Sequence, residues 1–317
     1  MLQQTRVAVV ENYYGRFLAR FPTLRRLARA RRDSVLAQWS GLGYYRRARA
    51  LHDAARIVMR ERAGKVPRTS DALRTLPGIG RYTAAAIASI AYGEPIAVVD
   101  GNVERVLARF HGCALSTRES WAQAQAWLDP RHPGDFNQAM MELGATLCLP
   151  REPHCTGCPL AHDCATASKP RQRSGITSDV GPRPPSAGPR VQLQQTLALR
   201  DRRVLLTQRS RRDSVMPGLW ELPSVETRHA ASPTRSKPRL NDDNSTVLRL
   251  RHSIMQTTYD VTVVIAASNR TRAGIGDLAP VANRRKRSLQ WIPLARLPKL
   301  PLTGLARKAL RRAGVLE

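Results

Sequence analysis

The sequence predicts a mostly α-helical domain, then an extended linker, then an α+β domain. In the first part, apolar residues recur at helical spacing, as Leu51, Ala55 and Val58 do. Proline, serine, glycine and arginine dominate the linker, a composition that cannot pack a core. Beyond it, apolar residues alternate as they do in strands. The predicted ranges are 1–165 for the helical domain, 166–190 for the linker and 191–317 for the α+β domain.

The predicted elements follow from these periodicities. Helices are predicted at Tyr82 to Tyr92, at Phe136 to Leu147 and at residues 302–313, and strands at Val191 to Leu199, at Val204 to Thr207 and around Val261, Val263 and Ile265. A polar loop is predicted over residues 227–246. No internal repeat is evident.

Size and composition limit the class of protein. A chain of 317 residues with 42% hydrophobic residues can build two ordinary cores. It contains no apolar run of about 18 residues, so we expect no membrane-spanning helix. The first residues do not resemble a signal peptide. We therefore expect a cytoplasmic monomer.

The charge favours a polyanionic partner. Lysine and arginine number 52 against 24 acidic residues, and the formal net charge is +28. Most of the basic residues are arginine, whose planar fork donates two hydrogen bonds to a phosphate at once. Genomic base composition and a merely solubilising surface are the alternatives. With a nucleic-acid partner, the expected location is the nucleoid.

Four cysteines are closely grouped at the end of the helical part. Cys148, Cys155, Cys158 and Cys164 have the spacing C-x6-C-x2-C-x5-C. Disulfides are disfavoured in a cytosolic chain. A structural zinc usually shows two short cysteine pairs separated by a longer arm. A [4Fe–4S] cluster suits four cysteines on a short irregular loop, and zinc remains the alternative. Cys113 lies outside the pattern, and we expect it to be a core residue.

A glycine-containing turn precedes one predicted helix. In Leu76-Pro77-Gly78-Ile79-Gly80, Gly78 and Gly80 permit a tight turn whose backbone N–H groups face outward at a helix start. That arrangement binds phosphate without reading base sequence. A simple turn between helices is the alternative.

Asp100 lies where an apolar run meets a helix start, in VVDGNV. An aspartate there usually caps the helix. A carboxylate near a bound sugar also stabilises the cation that forms when a glycosidic bond breaks. The two roles are compatible.

LPGIGRYTAAAIASIAYG followed by VVDGNVERVLAR resembles the endonuclease III superfamily of DNA glycosylases. The resemblance implies a helix-hairpin-helix domain with a [4Fe–4S] loop, in which Asp100 is catalytic and Tyr82 and Asn102 are candidates for contact with the DNA or the lesion. Members that cleave the strand carry lysine where this chain has Tyr82. Tyrosine cannot form an imine, so we expect base removal alone.

Two further segments resemble the MutY-type branch of that superfamily. They are GLGYYRRAR, which contains Leu42 and Tyr44, and MLQQT, which contains Gln3, Gln4 and Thr5. The resemblance implies that Gln4, Leu42 and Tyr44 enter the duplex near a lesion and help to extrude a base. At least one of Tyr44 and Tyr45 should be a core residue, because adjacent helical residues face different ways. The implied activity is removal of adenine from A:8-oxoguanine or A:G mispairs in double-stranded DNA.

The C-terminal part resembles the Nudix-like domain of the same branch, through VLLTQR and GLWELP. The acidic box that Nudix hydrolases use to bind metal is missing after Pro223, so the domain is predicted to recognise the lesion. Where many members have Phe-Ser-His, this chain has His252-Ser253-Ile254-Met255-Gln256. We name His252 and Gln256 as candidates for contact with the oxidised base.

The resemblance also implies a general-acid glutamate two residues before the methionine that matches Met1. Two interpretations follow: a start assigned to an internal methionine, or a truncated form that binds mismatches without excising a base. A thymine or uracil mismatch glycosylase of the same superfamily is a third hypothesis.

Overall fold

The computed structural model describes residues 1–5, 7–167, 189–227, 247–254, 257–266 and 289–316. Contacts divide the chain into two compact units, and each is described by itself. The first unit joins Met1–Ala55 to Ala187–Glu317, and the second is Arg56–Ser186. This grouping is by contact rather than by order along the chain. The predicted domain borders stay a prediction, and most of the predicted linker lies outside the described residues.

Short helices build the N-terminal part of the first unit. They are α1 (Val7–Arg20), α2 (Leu24–Arg29), α3 (Arg32–Trp39) and the first part of α4 (Tyr45–Glu61), whose residues from Arg56 onward belong to the second unit. Thr23 caps α2 by accepting a hydrogen bond from the Arg26 N–H. Phe17 and Trp39 pack edge to face at 6.0 Å, and Tyr45 is buried beside them. These rings form the core on which the segment before α4 rests.

The C-terminal part of the first unit is a twisted mixed sheet. The described strands are β1 (Arg190–Arg200), β2 (Arg203–Gln208), β3 (Trp220–Glu221), β4 (Ser224–Thr227), β5 (Val247–Ile254), β6 (Thr257–Ala266) and β7 (Leu289–Pro293). Their order is β3-β2-β1-β6-β5, with β4 paired to β1 and β7 paired to β2. β1 and β6 are parallel, and the remaining pairs are antiparallel.

Helix α10 (Gly304–Arg312) closes this sheet. Thr303 caps it, and Leu305, Ala309 and Leu310 pack into the apolar core of the sheet. The predicted strands and the closing helix are confirmed within one to three residues at most ends. The predicted loop over residues 227–246 lies outside the described residues except for Thr227, which ends β4.

Helices also build the second unit. They are α5 (Ser70–Arg74), α6 (Arg81–Tyr92), α7 (Gly101–His111), α8 (Thr117–Trp127) and α9 (Pro133–Glu142), followed by a π-helical turn (Leu143–Leu147) and a 3-10 turn (Cys155–Gly157). Val98, Val103 and Leu107 lie at the centre of their core. The helix predicted over Phe136 to Leu147 is present, but its last turn is π-helical.

One sequence prediction is wrong in this unit. Cys113 is exposed, although a core position was expected. Gly112 ends α7 in the left-handed conformation, with φ of 69°, and this cap turns the chain away from the core. None of the described helices is both long and apolar enough to span a bilayer.

Candidate functional site

The predicted hairpin forms between α5 and α6. The Ile79 N–H donates to the Leu76 carbonyl at 3.2 Å, and Gly78 takes φ of 76°. Pro77 and Gly78 are therefore the two central residues that a type II turn requires. Gly80 then caps α6 without a side chain. The first-turn N–H groups of α6 lack carbonyl acceptors within their own helix, as a phosphate-binding helix start requires.

Asp100 caps α7, as the first of its two predicted roles requires. Its Oδ1 accepts hydrogen bonds from the backbone N–H groups of Asn102 and Val103, both at 2.9 Å. Its Oδ2 accepts from Asn102 Nδ2 at 3.3 Å. The three donors fix the carboxylate, and among the described residues Oδ2 has only one long hydrogen bond. This oxygen can therefore face a reacting group.

Two further ionisable side chains lie close to Asp100. Burial, and then the charge on Asp100, raise the pKa of Tyr82, whose hydroxyl donates to Met141 Sδ at 3.3 Å. Burial, and then the same charge, raise the pKa of Glu104. Sequence reasoning missed Glu104. Its position four residues after Asp100, on the same face of α7, is the signal that could have found it.

The start of α7 packs tightly on the π-helical turn. A Cβ atom on Gly144 would lie 2.6 Å from Asn102 Cβ, so only glycine allows this approach. The Arg105 guanidinium donates to Asn102 Oδ1 at 2.9 Å and to the Gly144 carbonyl at 2.7 Å. Asn102 is therefore held between Asp100 and Arg105.

The four predicted ligands line one cavity at the end of the second unit. Cys148, Cys155, Cys158 and Cys164 all contribute to its wall. The rest of the wall is largely apolar, with Val106, Phe110, Leu143, Leu147 and Leu160. Burial raises the pKa of the Cys158 thiol, and the other three cysteines add to the rise. The structure therefore brings the four thiols together.

Their spacing bears on the kind of metal centre. Within the described ranges, no three Cys, His, Asp or Glu side chains come close enough together to hold one metal ion. A structural zinc needs four sulfurs at about 2.3 Å from one point. A multi-iron cluster separates its thiolates more widely, because each sulfur binds a different iron. Either centre needs four thiolates around one cavity, and the second unit provides such a cavity.

Two buried arginines of α7 hold the loop that begins at Cys148. Arg105 Nε donates to the Cys148 carbonyl at 2.9 Å. Arg109 donates to the carbonyls of Leu149 at 2.7 Å and Pro150 at 3.0 Å, and its guanidinium lies 3.4 Å from Cys148 Sγ. Sequence reasoning did not find these contacts. Both arginines lie on the apolar face of an amphipathic helix, and this is the signal in the sequence.

In the first unit, the MLQQT segment forms a turn. The Thr5 N–H donates to the Leu2 carbonyl at 3.2 Å, and Gln4 has φ of 57°. A positive φ is unusual for a residue other than glycine, and such residues concentrate at functional sites. The Gln4 side chain is exposed, while Gln3 and Thr5 are half-buried.

Arg47 joins this turn to the GLGYY segment. Its guanidinium donates to the carbonyls of Met1 and Gln3 and to Thr5 Oγ1. It also lies over the Tyr44 ring, 5.2 Å from its centroid. Sequence reasoning did not assign this role to Arg47. The Arg47 side chain thus contacts both of the segments that were predicted to enter the duplex.

The aromatic pair divides as expected. Tyr45 is buried, whereas Tyr44 is 56% exposed and has φ of 45°. Leu42 is buried in the core around Trp39, so it can enter a duplex only if it leaves that core. Its predicted insertion stays a prediction.

His252 lies on β5, half-buried near α10. Burial lowers the pKa of its imidazole, and the charge of Lys308 lowers it further. An added Cβ on Gly304 would lie 3.5 Å from the ring. The predicted contact residue Gln256 lies outside the described residues, between β5 and β6.

Comparison with known proteins agrees with this geometry. Residues 1–130 match the family described as HhH-GPD superfamily base excision DNA repair protein. A solved thermostable thymine-DNA glycosylase is similar with a TM-score of 0.50 and 29% identity, over 53% of this chain and 80% of that one. This stretch therefore belongs to the helix-hairpin-helix superfamily of base-excision repair proteins.

The curated relatives that match this chain include adenine DNA glycosylases. The human adenine DNA glycosylase is 40% identical over 273 residues, which cover 71% of this chain and 50% of that protein. The rat adenine DNA glycosylase is 52% identical over 171 residues, which cover 52% of this chain and 33% of that protein. The chain thus spans half or less of the length of these relatives.

Proposed function

We propose that the chain is an adenine DNA glycosylase that removes adenine mispaired with 8-oxoguanine or guanine in double-stranded DNA. The observation that carries the proposal is the fixed carboxylate of Asp100 at the start of α7, close to Tyr82. The similarity to adenine DNA glycosylases supports adenine as the base. A tyrosine at position 82 favours base removal without strand cleavage.

In this reaction the bond between the sugar C1′ and adenine N9 breaks. The step consumes one water molecule: its oxygen and one of its protons join C1′ as a hydroxyl group, and its other proton balances the proton that adenine takes on leaving. The Asp100 carboxylate stabilises the positive charge that develops on the sugar. The hairpin N–H groups at the start of α6 hold a backbone phosphate, and the turns that contain Gln4 and Tyr44 help to keep the extruded base out of the stack.

We further propose that the four cysteines hold a [4Fe–4S] cluster. The cavity that the four cysteines share supports a bound metal centre, and their C-x6-C-x2-C-x5-C spacing on a short loop favours a cluster over zinc. When bound, the cluster orders the loop around Arg151 and His154, both of which are exposed. The Nudix-like character of the C-terminal sheet, and contact of His252 or Gln256 with 8-oxoguanine, belong to the same proposal.

The test is single-turnover base release from duplexes with A:8-oxoguanine, A:G, T:G and U:G pairs. Asp100→Asn keeps a good helix cap but removes the charge. We expect adenine release from the first two duplexes and a loss of about 100-fold or more in the variant, with duplex binding retained.

Asp71→Asn is the matched control, because Asp71 is exposed in the first turn of α5. Release of thymine or uracil instead of adenine would favour the mismatch glycosylase suggested by the thymine-DNA glycosylase structure. Duplex binding without release of any base would favour a non-catalytic mismatch-binding protein.

A further inference from the structure

Arginine is concentrated where α1 ends and α2 and α3 begin. A concavity of about 520 Å³ is lined there by Arg20, Arg25, Arg26, Arg29 and Arg31, together with the buried Phe21. We call it the arginine concavity. The five arginines are exposed and come from consecutive segments of one unit. The proposed glycosylase reaction gives them no role.

These positive charges are not balanced locally. In the described part of the chain none of the five forms an ion pair, whereas the neighbouring Arg32 pairs with Asp53 at 2.6 Å. Among the residues that the structure describes, no acidic side chain lines the concavity. Five uncompensated cations on one concave surface attract an anion with several charges.

Helix stability does not account for all of them. Arg26 and Arg29 lie in the last turn of α2, where a positive charge is favourable. Arg25 lies in the first turn of α2, and Arg31 caps α3. A positive charge is unfavourable at both of these helix starts. The charges there point to a ligand rather than to the helices.

Contacts through the core connect the arginine concavity to the segment before Tyr44. The Phe21 ring packs on Phe17 at 5.1 Å, and Phe17 packs on Trp39 at 6.0 Å. Trp39 Nε1 donates to the Gly43 carbonyl at 3.0 Å. The concavity and this segment therefore belong to one packed core.

We propose that the arginine concavity binds backbone phosphates of the duplex that flanks the excised base. This inference rests on the proposed function, since it uses the same DNA. The contacts are independent of base sequence, because guanidinium groups bind phosphate oxygens. They set the position of the protein on the duplex.

The test compares two variants that lose the same charge. Arg25→Gln, Arg26→Gln and Arg29→Gln are combined in one variant, which keeps the buried Leu27 and the Thr23 cap of α2. Arg56→Gln, Arg118→Gln and Arg296→Gln form the control, because these side chains are exposed elsewhere. Affinity for the A:8-oxoguanine duplex is measured over a range of salt concentrations.

We expect the first variant to bind at least about tenfold more weakly, with a salt slope smaller by about 2 to 3. The binding affinity and the salt slope of the control variant should change much less. Uncharged methylphosphonates are placed at successive positions flanking the adenine, and at one or more of these positions they should weaken binding by the parent but not by the first variant.

Equal salt slopes in the two variants, or equal sensitivity of parent and first variant to methylphosphonates, would overturn the inference. After either result, the positive charge of the arginine concavity would be explained by a merely solvated surface or by a protein partner. Base release by the parent chain is measured in the same samples. If the parent releases adenine but the two variants bind the duplex equally well, only the proposed role of the arginine concavity is refuted. If the parent releases no base, the proposed function is refuted.

Discussion

The carboxyl groups of Asp100 and Glu104 lie on one face of α7, one helical turn apart. Asp100 is held by backbone donors, whereas Glu104 responds to the charge beside it. Adjacent like charges favour protonation of one partner. The face of α7 next to the proposed catalytic carboxylate therefore carries a second group that takes up a proton readily.

This arrangement predicts a pH dependence of stability. Because the pKa of Glu104 is raised, the folded chain binds its proton more tightly than the unfolded chain does. The contribution of Glu104 to folding stability therefore falls as the pH rises from about 4.3, the ordinary pKa of glutamate, through the raised pKa. Glu104→Gln should therefore stabilise the chain at pH 7 relative to the parent, and less so at acidic pH.

Chemical denaturation at pH 7 and at about pH 4 measures this difference. Glu142→Gln, at an exposed position of α9, is the control. If the free energy of unfolding of the Glu104→Gln variant exceeds that of the parent by the same amount at both pH values, the prediction is contradicted.

At this scale the sequence names candidates from two short motifs. Asp100 and Asn102 belong to one of them and Tyr82 to the hairpin motif before it. The structure brings Tyr82 and Asn102 close to Asp100, and the functional roles of the three residues stay predictions. Arg47 could not be named, because its role depends on contacts with Met1 and Gln3 that only the folded turn creates. The burial of Leu42 was also beyond the sequence, since an exposed and a buried leucine give the same local pattern.

At the scale of elements, α7 links the two parts of the second unit. Its first residue is next to Asp100, and Arg109 near its end holds the cysteine loop. The spacing of the cysteines predicted a shared metal centre. It did not predict that an arginine would satisfy the backbone carbonyls beside it, because that depends on how α7 and the loop pack.

Arg109→Gln should therefore weaken retention of the cluster. The change leaves the carbonyls of Leu149 and Pro150 without their guanidinium donor and removes a positive charge from beside Cys148. Loss of such a supporting contact typically lowers metal affinity about tenfold or more. We expect faster loss of iron and of visible absorbance during chelation.

Arg118→Gln is the control, because Arg118 is exposed on α8. Iron retention equal to that of the parent would contradict the supporting role of Arg109. A parent that contains zinc and no iron would contradict the proposed cluster itself.

At the scale of the molecule, the first unit is discontinuous in sequence. Ser40 Oγ donates to the Leu302 carbonyl at 2.7 Å, and the Tyr45 hydroxyl donates to the same oxygen at 3.0 Å. Leu219 is buried among the rings of the N-terminal helices. Sequence periodicity predicted the helices and strands separately, but a hydrogen bond between residues 262 apart leaves no local pattern.

The combined change Ser40→Ala and Tyr45→Phe should destabilise the unit as a whole. Both side-chain donors to a buried carbonyl are lost, which costs about 1–3 kcal/mol. The free energy of unfolding, followed by hydrogen exchange, should fall for α3 and for the sheet together. Tyr44→Phe, at an exposed ring, should change neither. A fall in the free energy of unfolding that is confined to α3 would contradict the prediction that the unit unfolds cooperatively.

The discontinuity also has a consequence for synthesis in the cell. A ribosome that adds about 5–20 residues per second makes Leu302 roughly 10–50 s after Ser40. During that interval α1 and α3 have already been made, whereas the strands and loops that complete their core have not. The apolar faces of the two helices are therefore without their packing partners. Nascent chains should therefore be most sensitive to protease and most dependent on chaperones until α10 has left the ribosome.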